Sequence, residues 1–199
     1  MEIIILYLAI FIISTIQSIA GVGILVLGTP ILLLLNFGIV DSMKILLPLS
    51  IISSILNLLI INIFFPLKEN LEKNFFSHFF LICFPSLFLG IYVVEHFSNV
   101  INLNILVAVI ILISIYGKFK YHNIGTSNNK IKAVFISLIG FIHGLTNSGG
   151  TLLTLLLIEN KKNNLMSRFK IHLFYLLLAI TQFFILFLLS EDFFPLKID

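Results

Sequence analysis

The sequence predicts an all-α integral membrane protein: about eight membrane segments in two inverted repeats, with a broken helix at each of two glycine-rich motifs. Three observations carry that expectation. The 199-residue chain is 59% hydrophobic and only 11% charged, with a mean hydropathy of +1.16, whereas ordinary soluble domains carry about 25% charged residues. Its charges are gathered into short clusters, separated by uncharged runs of membrane-crossing length. Two of those runs are longer than one crossing needs, and each is interrupted by small and polar residues.

Uncharged residues fill 3–40, 45–67, 74–94, 97–117, 133–158 and 171–190. A helix needs about 20 apolar residues to cross the hydrocarbon, so 45–67, 74–94, 97–117 and 171–190 each predict a single crossing. The run 3–40 is long enough for two, with a break near "GVG" at 21–23. Its start has neither a basic region nor a small-residue cleavage site, so it reads as the first membrane segment and not as a removed signal peptide. The run 133–158 admits either one long helix or two short ones broken at "TNSGG", 146–150.

The placement of Lys and Arg selects the broken form. With both long runs crossed twice, the loops 68–73, 118–132 and 159–170 share one side and hold all but Lys44 and Lys197 of the 12 basic residues. A single crossing by 133–158 would nearly even the two sides. Short cytoplasmic loops carry the Lys/Arg excess, so these three are expected in the cytoplasm of a cell (inner) membrane, with both termini outside. The net charge of +3 is spread over loops and forms no single patch, so nucleic acid is not an expected partner.

The two interruptions are related. Residues 13–21, "ISTIQSIAG", and 136–144, "ISLIGFIHG", both read I-S-x-I-x-x-I-x-G, and each leads into a break. In the eight-segment topology the first copy runs inward and the second outward, so the copies are inverted. This divides a single transporter domain, 1–199, into a first repeat of about 3–95 and a second of about 97–190. Paired breaks in two inverted halves are the best sequence pointer to a transporter's binding site.

Chemistry explains why polar, helix-averse residues stand in such company. A break inside the membrane frees backbone groups that lipid cannot satisfy, at several kcal/mol each, and survives only where protein or a wet cavity surrounds it. The free N–H groups that open the following half-helix carry partial positive charge and converge on one spot. Glycines allow close approach to the backbone: Gly149 and Gly150 in the second motif, Gly21 and Gly23 in the first. Thr146, Asn147, Ser148 and Thr151 add donors there, and Thr29 offers a sparser counterpart. The expected site therefore binds a small anion without any cationic side chain, metal or cofactor. The same glycines also suit close helix packing.

At these residues the chain resembles the sulfite exporter TauE/SafE family of membrane transporters. "AGVGILVLGTPILLLL" (20–35), with Pro30, is similar to the family's first motif; "GLTNSGGTLLTLLL" (144–157) is similar to its second, and "LMSRFKIHLFYLLL" (165–178) to the stretch that follows. The resemblance implies a secondary transporter moving sulfite, a sulfonate or a related organosulfur or carboxylate anion.

The remaining polar residues are read more plainly. His143, the one ionisable residue well inside a membrane run, is the candidate proton relay; sodium held by freed carbonyls is the alternative coupling ion. His78 and His172 are expected near the membrane interface. Ser53, Ser54, Asn57, Thr181 and Gln182 read as hydrogen-bonding glue between helices. Pro48, Pro66 and Pro85 are expected to kink or end helices. No HExxH, Cys/His cluster or pair of intramembrane carboxylates stands in the sequence, so an enzyme is not expected. A non-transporting subunit of a larger assembly and a passive anion channel are the other function classes.

Overall fold

The structure, a computed structural model, describes residues 2–20, 24–64, 73–97, 103–120, 129–157 and 164–190. These form eight α-helices: α1 (Glu2–Ala20), α2 (Ile24–Leu34), α3 (Ile39–Phe64), α4 (Lys73–Phe97), α5 (Leu103–Lys120), α6 (Asn129–Thr146), α7 (Gly149–Leu157) and α8 (Asn164–Leu189). No strand occurs among the described residues. Three helices are long and apolar enough to cross a membrane, over Ile39–Phe64, Phe75–Phe97 and Leu165–Leu189. Large apolar side chains stand exposed around the bundle, including Phe11, Ile63, Leu112 and Leu188. Water would penalise such a surface, whereas lipid solvates it.

Two helices stop by the same device. Asn36 and Asn147 have φ of 63° and 61°, a left-handed conformation that asparagine tolerates better than other non-glycine residues. At the end of α2, Asn36 N donates to Leu33 O at 3.1 Å and Phe37 N to Leu32 O at 3.0 Å, the paired bonds of a Schellman cap. At the end of α6, Asn147 N donates to His143 O at 2.9 Å, the single-bond form of the same ending. A second helix, α7, starts two residues later. Neither Pro48 nor Pro85 ends its helix: α3 and α4 run through them.

The direction of packing fixes the topology of 129–157. Gly140 of α6 faces Cys83 of α4, and Gly144 faces Leu87 and Ile91, so α4 and α6 run the same way and start at the same end. Beside this seam Ser86 and Ser137 hydroxyls lie 2.9 Å apart. The α3–α8 pair runs the opposite way, because Met43 meets Gln182 at one end while Asn62 and Phe169 line a common groove at the other. Phe75 and Phe79, early in α4, pack on Phe174 of α8. The starts of α4, α6 and α8 and the end of α3 are therefore gathered at one end of the bundle. The chain runs in through α6 and turns back through α7, so that α6 and α7 form a helical hairpin. Gly149 confirms the reversal, since it lies against Ile139 and His143 on the preceding helix.

At about 1.5 Å per residue, α7 is roughly 14 Å long, half the thickness of the hydrocarbon. It is a half-helix whose first turn lies inside the bundle.

Candidate functional site

The break between α6 and α7 is wholly buried: Thr146, Asn147 and Ser148 are each 0% exposed, as is Thr29 on α2. Backbone freed by the break is met locally. Thr146 Oγ1 donates to Ile142 O at 2.8 Å and accepts from Ser148 N at 3.3 Å. Ser148 Oγ donates to Thr146 O at 3.2 Å, and Thr151 Oγ1 donates to Ser148 O at 2.8 Å. Such side-chain-to-backbone bonds let a short polar segment replace helical bonds where no water can do so.

Asn147 carries the long-range contact. Its Nδ2 donates to Thr29 Oγ1 at 3.0 Å, joining positions 118 residues apart. Thr29 can accept there because its own hydroxyl proton is given to Leu25 O at 2.7 Å. On the other side of the amide, Asn147 Oδ1 accepts from Gln182 Nε2 of α8 at 2.7 Å. Gln182 Nε2 also reaches His143 O at 3.3 Å and Met43 Sδ at 3.6 Å. The result is a chain of amides and hydroxyls from α2 through the break to α8 and α3.

A smaller network serves the other motif. Gln17 of α1, 0% exposed, accepts at Oε1 from Ile24 N, 2.9 Å away. That N–H opens α2 and has no helical partner. Gln17 Nε2 donates to Ser54 Oγ at 3.3 Å and Ser50 O at 3.4 Å on α3. Gln17 thus ties the start of α2 to α3, as Gln182 ties the α6–α7 break to α8.

Of the expected site residues, Thr29, Thr146, Asn147, Ser148, Gly149, Gly150 and Thr151 are gathered at one place, with His143 one helical turn away. Gly21 and Gly23 lie outside the described residues. Gly149 serves close packing, because an added Cβ would meet Ile139 O at 2.5 Å and His143 Cβ at 2.6 Å. The space above it is filled by α6. His172, expected near the membrane interface, is 2% exposed, on the face of α8 that also buries Tyr175. Sequence reasoning misses Gln17 altogether and takes Gln182 only as glue; a glutamine inside a charge-free run is the signal both share.

Among the described residues no group of His, Cys, Asp and Glu is placed to hold a metal ion.

Apolar helices packed around a buried polar bridge define a polytopic helical membrane protein. The family model for sulfite exporter TauE/SafE matches residues 6–190, and the chain belongs to that family of membrane transporters. No match was found among curated proteins or among solved structures.

Proposed function

We propose that the protein is a secondary transporter that carries sulfite, a sulfonate or a related small organosulfur or carboxylate anion across the membrane, binding it where the α7 N-terminus faces α2. The observation that carries this reading is the Asn147–Thr29 bond at 3.0 Å, which brings the two glycine-rich motifs to one buried point. Family membership over residues 6–190 supports the transporter class.

The bridge is a closed conformation of the site. Its donors hold one another, and its members are fully buried. An anion entering beside α7 replaces neutral bonds with charged ones. Interhelical bonds between neutral groups in membrane proteins average about 0.6 kcal/mol, against roughly 1.5–3 kcal/mol for bonds to a charged group. The anion therefore wins the exchange, and Asn147 Nδ2, the Ser148 hydroxyl and the first N–H groups of α7 turn to it. Breaking the link to Thr29 frees α2 to move relative to α6–α7, which is the step that alternating access requires.

The inverted-repeat reading fits this use: α1–α2 and α6–α7 are the paired broken elements of the two halves, about 3–95 and 97–190. The gathered ends of α3, α4, α6 and α8 support placing the loops 68–73, 118–132 and 159–170 on one side, which their lysines and arginine mark as cytoplasmic. Both termini are then outside.

Thermal shift of the purified protein tests the substrate class, because a ligand bound by the folded state alone raises the melting temperature. Sulfite, sulfate, thiosulfate, taurine and short carboxylates form the screen. A shift with sulfite or a sulfonate is expected; no shift with any of them would contradict the anion site.

A further inference from the structure

His143 joins the polar bridge through its backbone and leaves its ring unused. Its carbonyl accepts from Gln182 Nε2 at 3.3 Å, and a Cβ on Gly149, the first residue of α7, would lie 2.6 Å from the His143 Cβ. The imidazole therefore leaves α6 directly beside the N-terminus of α7. The residue is 0% exposed, and neither ring nitrogen has a hydrogen-bond partner among the described residues. Gln182 Oε1, on the same bridge, is a second buried acceptor without a hydrogen-bond partner there. Tyr175 of α8 meets the ring edge-on, centroids 6.0 Å apart.

A buried donor or acceptor left unmade is costly, and ionisable side chains inside membrane proteins are retained for function. A proton on the imidazole makes both nitrogens donors, a match for an anion or for the free Gln182 oxygen. In the empty site that cation is opposed by the positive end of α7 beside it. An anion at the same point reverses the balance, since it attracts the helix end and the imidazolium together. Each ligand then strengthens binding of the other, and by linkage the effect is reciprocal.

We infer that His143 takes up a proton together with the anion, so that the two cross the membrane as a pair; this rests on the anion-transport reading above. The proton comes from water on the side of entry and returns to water on the other side as the anion leaves, with no other bond made or broken. Among other titratable groups, α8 presents Tyr175 to the ring, with His172 one turn before it, and α4 brings Cys83 against Gly140 and carries Glu95 further along. α5 carries Tyr116, while α7 has no titratable residue. Among the described residues, His143 is the titratable side chain set against Gly149 at the start of α7.

Calorimetric titration of sulfite into the purified full-length protein tests the inference. At about pH 8, above the ordinary range of imidazole, the heat is compared in two buffers of different ionisation enthalpy. Uptake of about one proton per sulfite is expected in the wild type, and in His143→Gln sulfite should still bind but without that uptake. No proton uptake in the wild type, or equal uptake in His143→Gln, overturns the inference while leaving the anion site standing. No sulfite binding at all in the wild type overturns both. Should His143→Gln fail to fold, imidazole nitrogen NMR of the wild type decides: sulfite should bring up a new imidazolium signal, and unchanged spectra overturn the inference.

Discussion

Asn147 Nδ2 donates to Thr29 Oγ1 at 3.0 Å across 118 residues of sequence, and both partners are sealed from solvent. Asn147 holds this bond from a left-handed backbone, φ 61°, so its side chain and its backbone have separable effects. Asn147→Gly keeps the turn without strain and removes only the amide. It should fold, lower stability by about 0.5–1.5 kcal/mol for each side-chain bond lost, since Gln182 Nε2 keeps the His143 carbonyl, and abolish the thermal shift by sulfite. Asn147→Ala adds a strained left-handed residue, at roughly 1–2 kcal/mol more. Melting temperatures of the two, with and without sulfite, check the order.

Thr29→Val keeps the shape and deletes the acceptor, leaving Asn147 Nδ2 unpaired. The expected loss is about 1–3 kcal/mol, and Thr29→Ser should restore most of it. In a cycle with Asn147→Gly the coupling should account for most of that loss, because the unpaired Asn147 Nδ2 is absent from the double variant. Additive effects would mean that the two side chains do not interact.

The glycines divide by what surrounds them. At Gly149 a Cβ would meet the α6 backbone at 2.5 Å, whereas at Gly28 it would meet the tip of Leu46 at 2.8 Å. Backbone cannot yield as a side-chain tip can, so Gly149→Ala should cost about 1–3 kcal/mol and Gly28→Ala distinctly less. Gly90 and Gly144, each facing the other's helix backbone, should behave like Gly149. Detergent-solubilised yield and melting temperature of the four alanine variants measure this ranking.

Much of this was legible in the sequence, for identifiable reasons. Charge-free runs and lysine placement pointed to the hairpin at 133–158, because the cost of unpaired backbone in lipid leaves few alternatives. "TNSGG" announced the break because a Thr-Asn-Ser run supplies its own replacement bonds. Partners were not legible. Nothing local to Gln17 says that it caps Ile24, or that Gln182 reaches Asn147, since both depend on which helices become neighbours. Nor could sequence separate Gly149, set against α6, from a glycine kept open for a ligand, as either use requires the same missing side chain.

The topology has its own check. Single cysteines at Asn128 and Asn163, in a Cys83→Ser background, should both resist an impermeant thiol reagent applied to intact cells, and a cysteine at Ile198 should react. Labelling of Asn163 alone would split the basic loops between the two sides.

Sulfite flux into proteoliposomes tests the central claim most directly, with the wild type and Asn147→Gly reconstituted in equal amounts. The account predicts that an imposed sulfite gradient drives saturable counterflow in the wild type, and that Asn147→Gly, folded and inserted, loses it by at least tenfold, or about 1.4 kcal/mol. Wild-type flux in Asn147→Gly, or no sulfite counterflow by the wild type, would contradict it.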